Sequence, residues 1–278
     1  MNNKTILVSG ASTGIGKATT LYLDQLGFRV YAGVRKTADA QALKNESSEQ
    51  CQPVFLDVAD QTSIKDAVES IASETNGNLY GLVNNAGLSL NGPLELLPFA
   101  DIQQLFQVNV IGLLAMTQAV LPFIRKNQGR IVNISSGHGL VAVPDKSAYA
   151  ASKFAVQAIS DSLRVELHPF GVAVANIVVG KVETAVLDKI INNREKMMAT
   201  APPEVLSLYM PLIEYFDREV KNIPGISALQ VAQVITDALT AEKPKTQYLI
   251  GPGVRKMKNI AKFPPGLRDK MFYKAIYK

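Results

Sequence analysis

The chain has 278 residues, 47% of them hydrophobic, and no polar low-complexity tract, so it can bury one large core, and length alone allows one or two domains. Its formal charge of +5 divides unevenly: residues 254–278 hold eight Lys or Arg and one acid, a net +7, while the other 21 basic and 23 acidic residues leave −2. A near-neutral body with a basic tail does not fit a nucleic-acid-binding domain, whose basic residues form a footprint on the fold itself.

No apolar run reaches the ~18 residues of a membrane span, and MNNKTILVSG starts a strand almost at once, leaving no room for a signal peptide. A cytoplasmic protein is expected. The lone Cys51 excludes an internal disulfide and a cysteine-based metal cluster, and two histidines, His138 and His168, offer little for zinc, so no metal site is expected.

Residues 5–9, TILVS, read as a buried strand, followed by the turn Gly10-Ala-Ser-Thr-Gly14-Ile-Gly16 and a helical stretch to Gly27. Glycines between strand and helix let the backbone approach a phosphate, which the N–H groups and dipole of the helix N-terminus then hold, although three glycines can equally be a structural bend. The strand RVYAGVR ends at Arg35-Lys36, with no acid between Asp24 and Asp39. An acid there would take the ribose hydroxyls of NAD, whereas arginine suits a 2′-phosphate, so NADP(H) is favoured over a merely solvated strand end.

QPVFLDV is a third strand ending in Asp57-Val58, with a helix over about 63–75. LYGLVNNAG is a fourth, ending in Asn84-Asn85-Ala86-Gly87, an odd composition unless the backbone turns under a ligand. The long helical segment after Asp101 carries Asn109 among apolar neighbours, as a satisfied core amide or part of a buried relay. RIVNIS, VAVANIVV leading to Gly180, and TQYLIG complete seven strands, the last preceded by a helix over 227–240. Strands alternating with helices indicate a single α/β, doubly wound, Rossmann-type domain with a parallel sheet and ligands at the carboxyl ends of its strands.

The stretch SSGHGLVAVPDKSAYAASK concentrates the chemistry. Tyr149 and Lys153 lie four apart on a helix and share a face. A free phenol titrates near ~10 and an amine near ~10.4, and an ammonium held beside the phenol is expected to lower its pKa, giving an acid/base group for a substrate oxygen. Ser136, 13 residues before Tyr149 at a strand end, can hold that oxygen. YxxxK alone is equally a surface pair on an ordinary helix.

Taken together and in order, GASTGIG, NNAG, the Asn109 helix, ISS and YAASK resemble the compact branch of the short-chain dehydrogenase/reductase family over roughly residues 4–251. The resemblance implies that Tyr149 donates or accepts the proton, Lys153 lowers its pKa and holds the nicotinamide ribose, Ser136 positions the substrate oxygen, and Asn109 supports a relay water. It also implies that Gly10, Ser12, Thr13, Gly14, Ile15 and Gly16 line the phosphates, Asp57 and Val58 the adenine, Asn85, Ala86 and Gly87 the ribose, and Val182 and Thr184 the carboxamide. Two departures, Val179-Gly180 for the usual Pro-Gly and Ser9 for the usual Thr, leave catalysis intact. Within the family, LDQLGFRVYAGVR and TQYLIGPG look like members acting on hydroxysteroids and retinoids, which implies a bulky lipophilic alcohol or carbonyl substrate. Relatives commonly pair through the long helices, so a homodimer or homotetramer is expected.

A nucleotide-sugar epimerase or dehydratase of the extended branch shares YxxxK but has a GxxGxxG turn and a longer chain. A non-catalytic NADP-binding sensor would usually have lost the tyrosine or lysine. The expected domain therefore spans 1–253, with a Met- and aromatic-rich segment at about 185–226 that reads as a lid over a bulky apolar substrate, or as the core of two short helices or part of a subunit contact. The tail 254–278, basic around an apolar stripe, either lies on an anionic membrane or packs across the pocket or a subunit boundary.

Overall fold

The computed structural model describes residues 4–184 and 186–278, without the side chains of 186–189, 220 and 221. The expected domain start at residue 1 and the first lid residue, Ala185, lie outside the described residues. In chain order the elements are β1 (Thr5–Val8), α1 (Gly14–Gln25), β2 (Arg29–Val34), α2 (Thr37–Glu46), β3 (Cys51–Phe55), α3 (Gln61–Glu74), β4 (Gly81–Asn84), α4 (Phe99–Phe106), a π-helical turn (Gln107–Gly112), α5 (Leu113–Lys126), β5 (Arg130–Ser136) and α6 (Ser147–Glu166). They continue with β6 (Ala173–Val179), α7 (Val186–Thr200), α8 (Pro203–Asn222), α9 (Ala228–Thr240), β7 (Gln247–Ile250), α10 (Val254–Ile260) and α11 (Pro265–Tyr277).

The seven strands form one parallel sheet in the order β3-β2-β1-β4-β5-β6-β7. β1, β4, β5 and β6 are almost wholly buried, which is why they read as continuous apolar runs instead of alternating ones: helices cover both faces. On one face Leu23 of α1 and Val231, Ile235 and Leu239 of α9 pack on Ile6, Val30 and Ile177. On the other, Ile64, Val68 and Ile71 of α3 and Met116, Val120 and Ile124 of α5 pack on Leu7, Leu82 and Ile131. A third apolar cluster lies outside the sheet, where Leu90, Leu97, Leu105 and Ala148 meet Met197 of α7 and Ile213 of α8.

The helical run Phe99–Lys126, 28 residues, is long and apolar enough by length and composition to cross a membrane, although Gln and Asn keep it from being an unbroken apolar stretch. Here Leu105, Val108, Met116, Val120 and Ile124 pack on the sheet and on the third cluster, while Phe99, Ile111 and Leu114 stay exposed. The basic tail folds as α10 and α11, with Met257 of α10 against Gly137 and α11 against α8.

The buried asparagines Asn84, Asn133 and Asn176 stand side by side on β4, β5 and β6. Asn84 Nδ2 donates to Asn133 Oδ1 at 2.9 Å, Asn133 Nδ2 to Ser160 Oγ at 2.8 Å, and Ser160 Oγ to Asn176 Oδ1 at 2.8 Å. Asn176 Nδ2 donates to Gln157 Oε1 at 2.8 Å, and Gln157 Nε2 to Ser135 Oγ at 3.0 Å. This ladder fixes α6 across three strands, with every rung dependent on its neighbour. Asn133→Ala would remove two buried bonds, one from the Asn84 amide and one to the Ser160 hydroxyl, which keep Thr117 and Asn176 as partners, and cost about 1–3 kcal/mol. Denaturant midpoints check this, and a loss below about 0.5 kcal/mol would show the ladder to be dispensable.

Candidate active site

The carboxyl edge of the sheet brings the sequence-picked groups into one neighbourhood. After β1, Gly10 turns with φ +66°, where a Cβ would stand 2.8 Å from Ala86 Cα, and a Cβ on Gly16 would run into the Gly10 carbonyl. Asn85 Nδ2 donates to Ser9 O and Gly10 O, each at 3.0 Å, locking the loop after β4 onto this turn. Thr13 is the N-cap of α1 but makes no side-chain capping bond, so the first N–H groups of the helix face out of the turn beside Ser12, Gly14 and Ile15. A Cβ on Gly14 would meet Thr184 Cγ2 at 3.2 Å; the 181–184 segment is held by a Val182–Ile226 bridge and Glu183 N donating to Ile226 O. A turn packed too closely for any Cβ at Gly10 or Gly16, leading into a helix N-terminus that its N-cap side chain does not cap, fits a dinucleotide pyrophosphate.

Arg35, 61% exposed in its side chain, follows β2 directly and lies 3.9 Å from Asp57 Oδ2. Asp57 Oδ1 accepts from Ala59 N at 3.0 Å, and Val58 is buried in the core, its carbonyl and side chain both against Gly112.

Asn109, buried in the π-helical turn, accepts from Leu88 N at 2.7 Å and donates to Leu88 O and Ser152 Oγ, both at 3.0 Å. It therefore tethers the loop after β4 to α6, and a Cβ on Gly87 would stand 3.3 Å from its Oδ1 and 3.7 Å from Lys153 Nζ. π-turns widen a helix and often sit at functional sites.

Ser136 closes β5, and its Oγ accepts from His138 N at 3.2 Å and lies 3.2 Å from His138 Nδ1. Tyr149 packs edge-on to the His138 ring, centroids 5.8 Å apart. Lys153 Nζ donates to Ile134 O at 3.0 Å and lies 5.9 Å from the centre of the Tyr149 ring. The expected lowering of the Tyr149 pKa by Lys153 is not what this geometry gives. Burial pushes the phenol upward, the Ser136 hydroxyl works in the opposite direction, and burial pulls Lys153 down to about 8. Both groups are taken out of water, which penalises the charge of each, and the ammonium uses one of its three N–H groups on the Ile134 carbonyl.

The short chain dehydrogenase family model matches residues 4–195. The chain belongs to the short-chain dehydrogenases. It is 37% identical over 267 residues to a 3-amino-tetrahydro-pyrrolizinone reductase of Xenorhabdus hominickii, covering 94% of this chain and 92% of the relative. Retinol dehydrogenase 7 of Mus musculus is 34% identical over 260 residues, covering 90% and 81%. Among solved structures, the closed form of a serine dehydrogenase complexed with NADP+ superposes with a TM-score of 0.75 at 27% identity, over 89% of this chain and 94% of that one. As a short-chain dehydrogenase the chain is an oxidoreductase.

Reading the sequence of this short-chain dehydrogenase for its catalytic groups missed four charged residues beside them. Asp145, with a wholly buried side chain, accepts from Arg194 of α7 through both oxygens, at 2.8 and 2.6 Å. Arg194 also lies 3.5 Å from Asp217 of α8. Lys146, next to Asp145, is buried as well. His138 was weighed only as a zinc ligand, yet it touches both Ser136 and Tyr149; burial and the Lys146 charge pull its pKa down to about 3, so its ring is neutral at pH 7. The available signal was position: His138 follows Ser136 by two residues and Lys146 precedes Tyr149 by three.

Proposed function

We propose that this short-chain dehydrogenase interconverts an alcohol and a ketone or aldehyde with NADP(H), and that its substrate has a bulky lipophilic body of the steroid or retinoid kind. The observation that carries the reading is the convergence of Ser136, Tyr149, Lys153 and the Gly10–Gly16 cradle on one edge of the sheet. A bound NADP(H) supplies or removes the hydride. In reduction Tyr149 gives its proton to the carbonyl oxygen while Ser136 donates a hydrogen bond to the same atom. A phenol pushed upward by burial keeps that proton through neutral pH, which suits a donor. Lys153 and Asn85–Gly87 hold the ribose, Asp57–Val58 the adenine, and Val182 and Thr184 the carboxamide. Asn109, through its remaining acceptor capacity, supports a relay water.

The lipophilic body is supported by the third apolar cluster, in which Met197, Met198, Leu206, Tyr209 and Met210 pack beside Tyr149 and act as the lid. A screen of steroid, retinoid and aliphatic ketones with NADPH and NADH in parallel tests the reading, and no turnover across the screen would overturn it. Preference for NADPH is supported by the exposed Arg35 guanidinium and the lack of a competing acid at Val34. Arg35→Ala would lose about 10- to 100-fold in NADPH affinity, the worth of a charge-assisted bond to phosphate, with little change for NADH. Equal losses for both cofactors would remove Arg35 from that role.

A homodimer or homotetramer through α5 and α6 is supported by Leu114, Phe154 and Val165, which these helices leave exposed. Cytoplasmic placement with peripheral membrane contact is supported by the tail, where Phe263, Leu267 and Met271 are exposed among basic residues.

A further inference from the structure

A serine hydroxyl has one proton to donate and two lone pairs that accept, and the role given to Ser136 above needs the proton to face the substrate oxygen. One lone pair is already in use: Ser136 Oγ caps the short turn Gly137–Gly139 by accepting from His138 N at 3.2 Å. The ring of the same residue returns to the hydroxyl, with Nδ1 3.2 Å from Oγ. That second contact decides where the hydroxyl proton goes. If Nδ1 is bare, it draws the proton, and Ser136 has none left for a substrate. If Nδ1 carries a proton, it fills the second lone pair, and the hydroxyl must point outward.

The turn is held firmly enough to keep the ring in place. A Cβ on Gly139 would stand 2.7 Å from Lys153 O, and one on Gly137 2.5 Å from Met257 Sδ, so the turn is wedged between α6 and α10. The half-buried His138 ring lies edge-on against Tyr149, centroids 5.8 Å apart. It is neutral at pH 7, so a single proton sits on Nδ1 or Nε2, and the hydrogen bonds of these two atoms choose between them. Among the described residues Nε2 has no hydrogen-bond partner, which leaves Ser136 as the protein group that chooses.

We propose that His138 is a positioning residue that carries its proton on Nδ1 and donates it to Ser136 Oγ, so that ring and backbone together occupy both lone pairs and aim the hydroxyl proton at the substrate oxygen. The inference rests on the alcohol–carbonyl reading above and deepens it. The same occupancy keeps Ser136 from accepting the Tyr149 proton, which stays available to the carbonyl.

Nuclear magnetic resonance of the free enzyme labelled with nitrogen-15 histidine reads the tautomer directly. The chain has two histidines, and the signals of the exposed His168 are assigned by their loss in His168→Gln, so His138 itself stays unchanged. At pH 7 His138 shows a protonated, pyrrole-type Nδ1 and a bare, pyridine-type Nε2; the reverse pattern overturns the proposal. Kinetics with a ketone that the enzyme reduces give the second readout. His138→Phe keeps a ring against Tyr149 and lowers kcat about 10-fold with KM changed less than about 2-fold, the worth of one hydroxyl bond felt as charge develops on the oxygen. His138→Asn can place an amide N–H where Nδ1–H stood and keeps kcat within about 3-fold of the wild type. In a Ser136→Ala background His138→Phe brings no further loss, because the atom it aims is gone. An equal loss with and without Ser136, no loss at all, or an asparagine no better than phenylalanine overturns the proposal. A proton on Nε2 in an enzyme that turns over ketones would sink the His138 assignment alone, whereas no reduction of any carbonyl would sink the reading beneath it.

Discussion

Tyr149→Phe will lower kcat for carbonyl reduction by about 10²- to 10⁴-fold, the usual worth of a positioned general acid, while the enzyme still binds NADPH. The variant removes one oxygen from a ring that stays packed on His138, so its fold and its cofactor cradle are untouched. Steady-state kinetics with any accepted ketone, beside fluorescence titration of NADPH, separates the two effects. If most of the activity survived, the proton would have to come from elsewhere, and the neutral His138 imidazole, 3.2 Å from Ser136 Oγ, would be the next group to replace.

The largest effect on stability is expected at Arg194. Arg194→Met leaves the Asp145 carboxylate buried and uncompensated, which costs about 3–5 kcal/mol and lowers Tm by about 10 °C. The pH dependence has a definite sign. Burial already raises the Asp145 pKa more than the Arg194 hydrogen bonds lower it, and removing Arg194 raises it further. A group whose folded-state pKa lies above its unfolded value loses stability as pH rises through the folded value and regains it as pH falls. The deficit of Arg194→Met should therefore shrink as pH falls from neutrality toward the ordinary range of a carboxyl group. Asp145 has a positive φ of 68°, which asparagine tolerates, so the double variant Asp145→Asn, Arg194→Met should recover most of the loss. A deficit that is flat with pH, or a double variant no better than the single, would show that Arg194 acts by packing alone.

The strands were legible because a parallel sheet covered on both faces leaves short apolar, β-branched runs between polar turns, and those turns hold the ligand-facing residues. α2 was not read because TADAQALKNE buries only Leu43 and carries almost no apolar stripe. Residues 185–226 read as a lid, as two short helices or as a subunit contact, whereas α7 and α8 run 15 and 20 residues. Partnership across the fold was the other gap. Asn84, Asn133 and Asn176 each look like isolated polar residues in strands until the register aligns them, and nothing in the sequence pairs Asp145 with an arginine 49 positions away. The Tyr149–Lys153 spacing correctly gave two residues on one helix face, but spacing does not tell where an ammonium points or how much water it has lost.

The wide turn at Gln107–Gly112 has a consequence for the long helix that contains it. One additional residue per turn advances the helix by about 100°, a little over a quarter of a revolution. Upstream, Leu105 faces the cluster beneath α7 and α8; downstream, Met116, Val120 and Ile124 face the sheet. A single rod thus swivels from the substrate side to the scaffold side, and Asn109 sits at the swivel. Deleting one residue there would restore an ordinary helical phase and turn one half of the rod away from its partner, so the detour that anchors the amide also lets one helix belong to two cores.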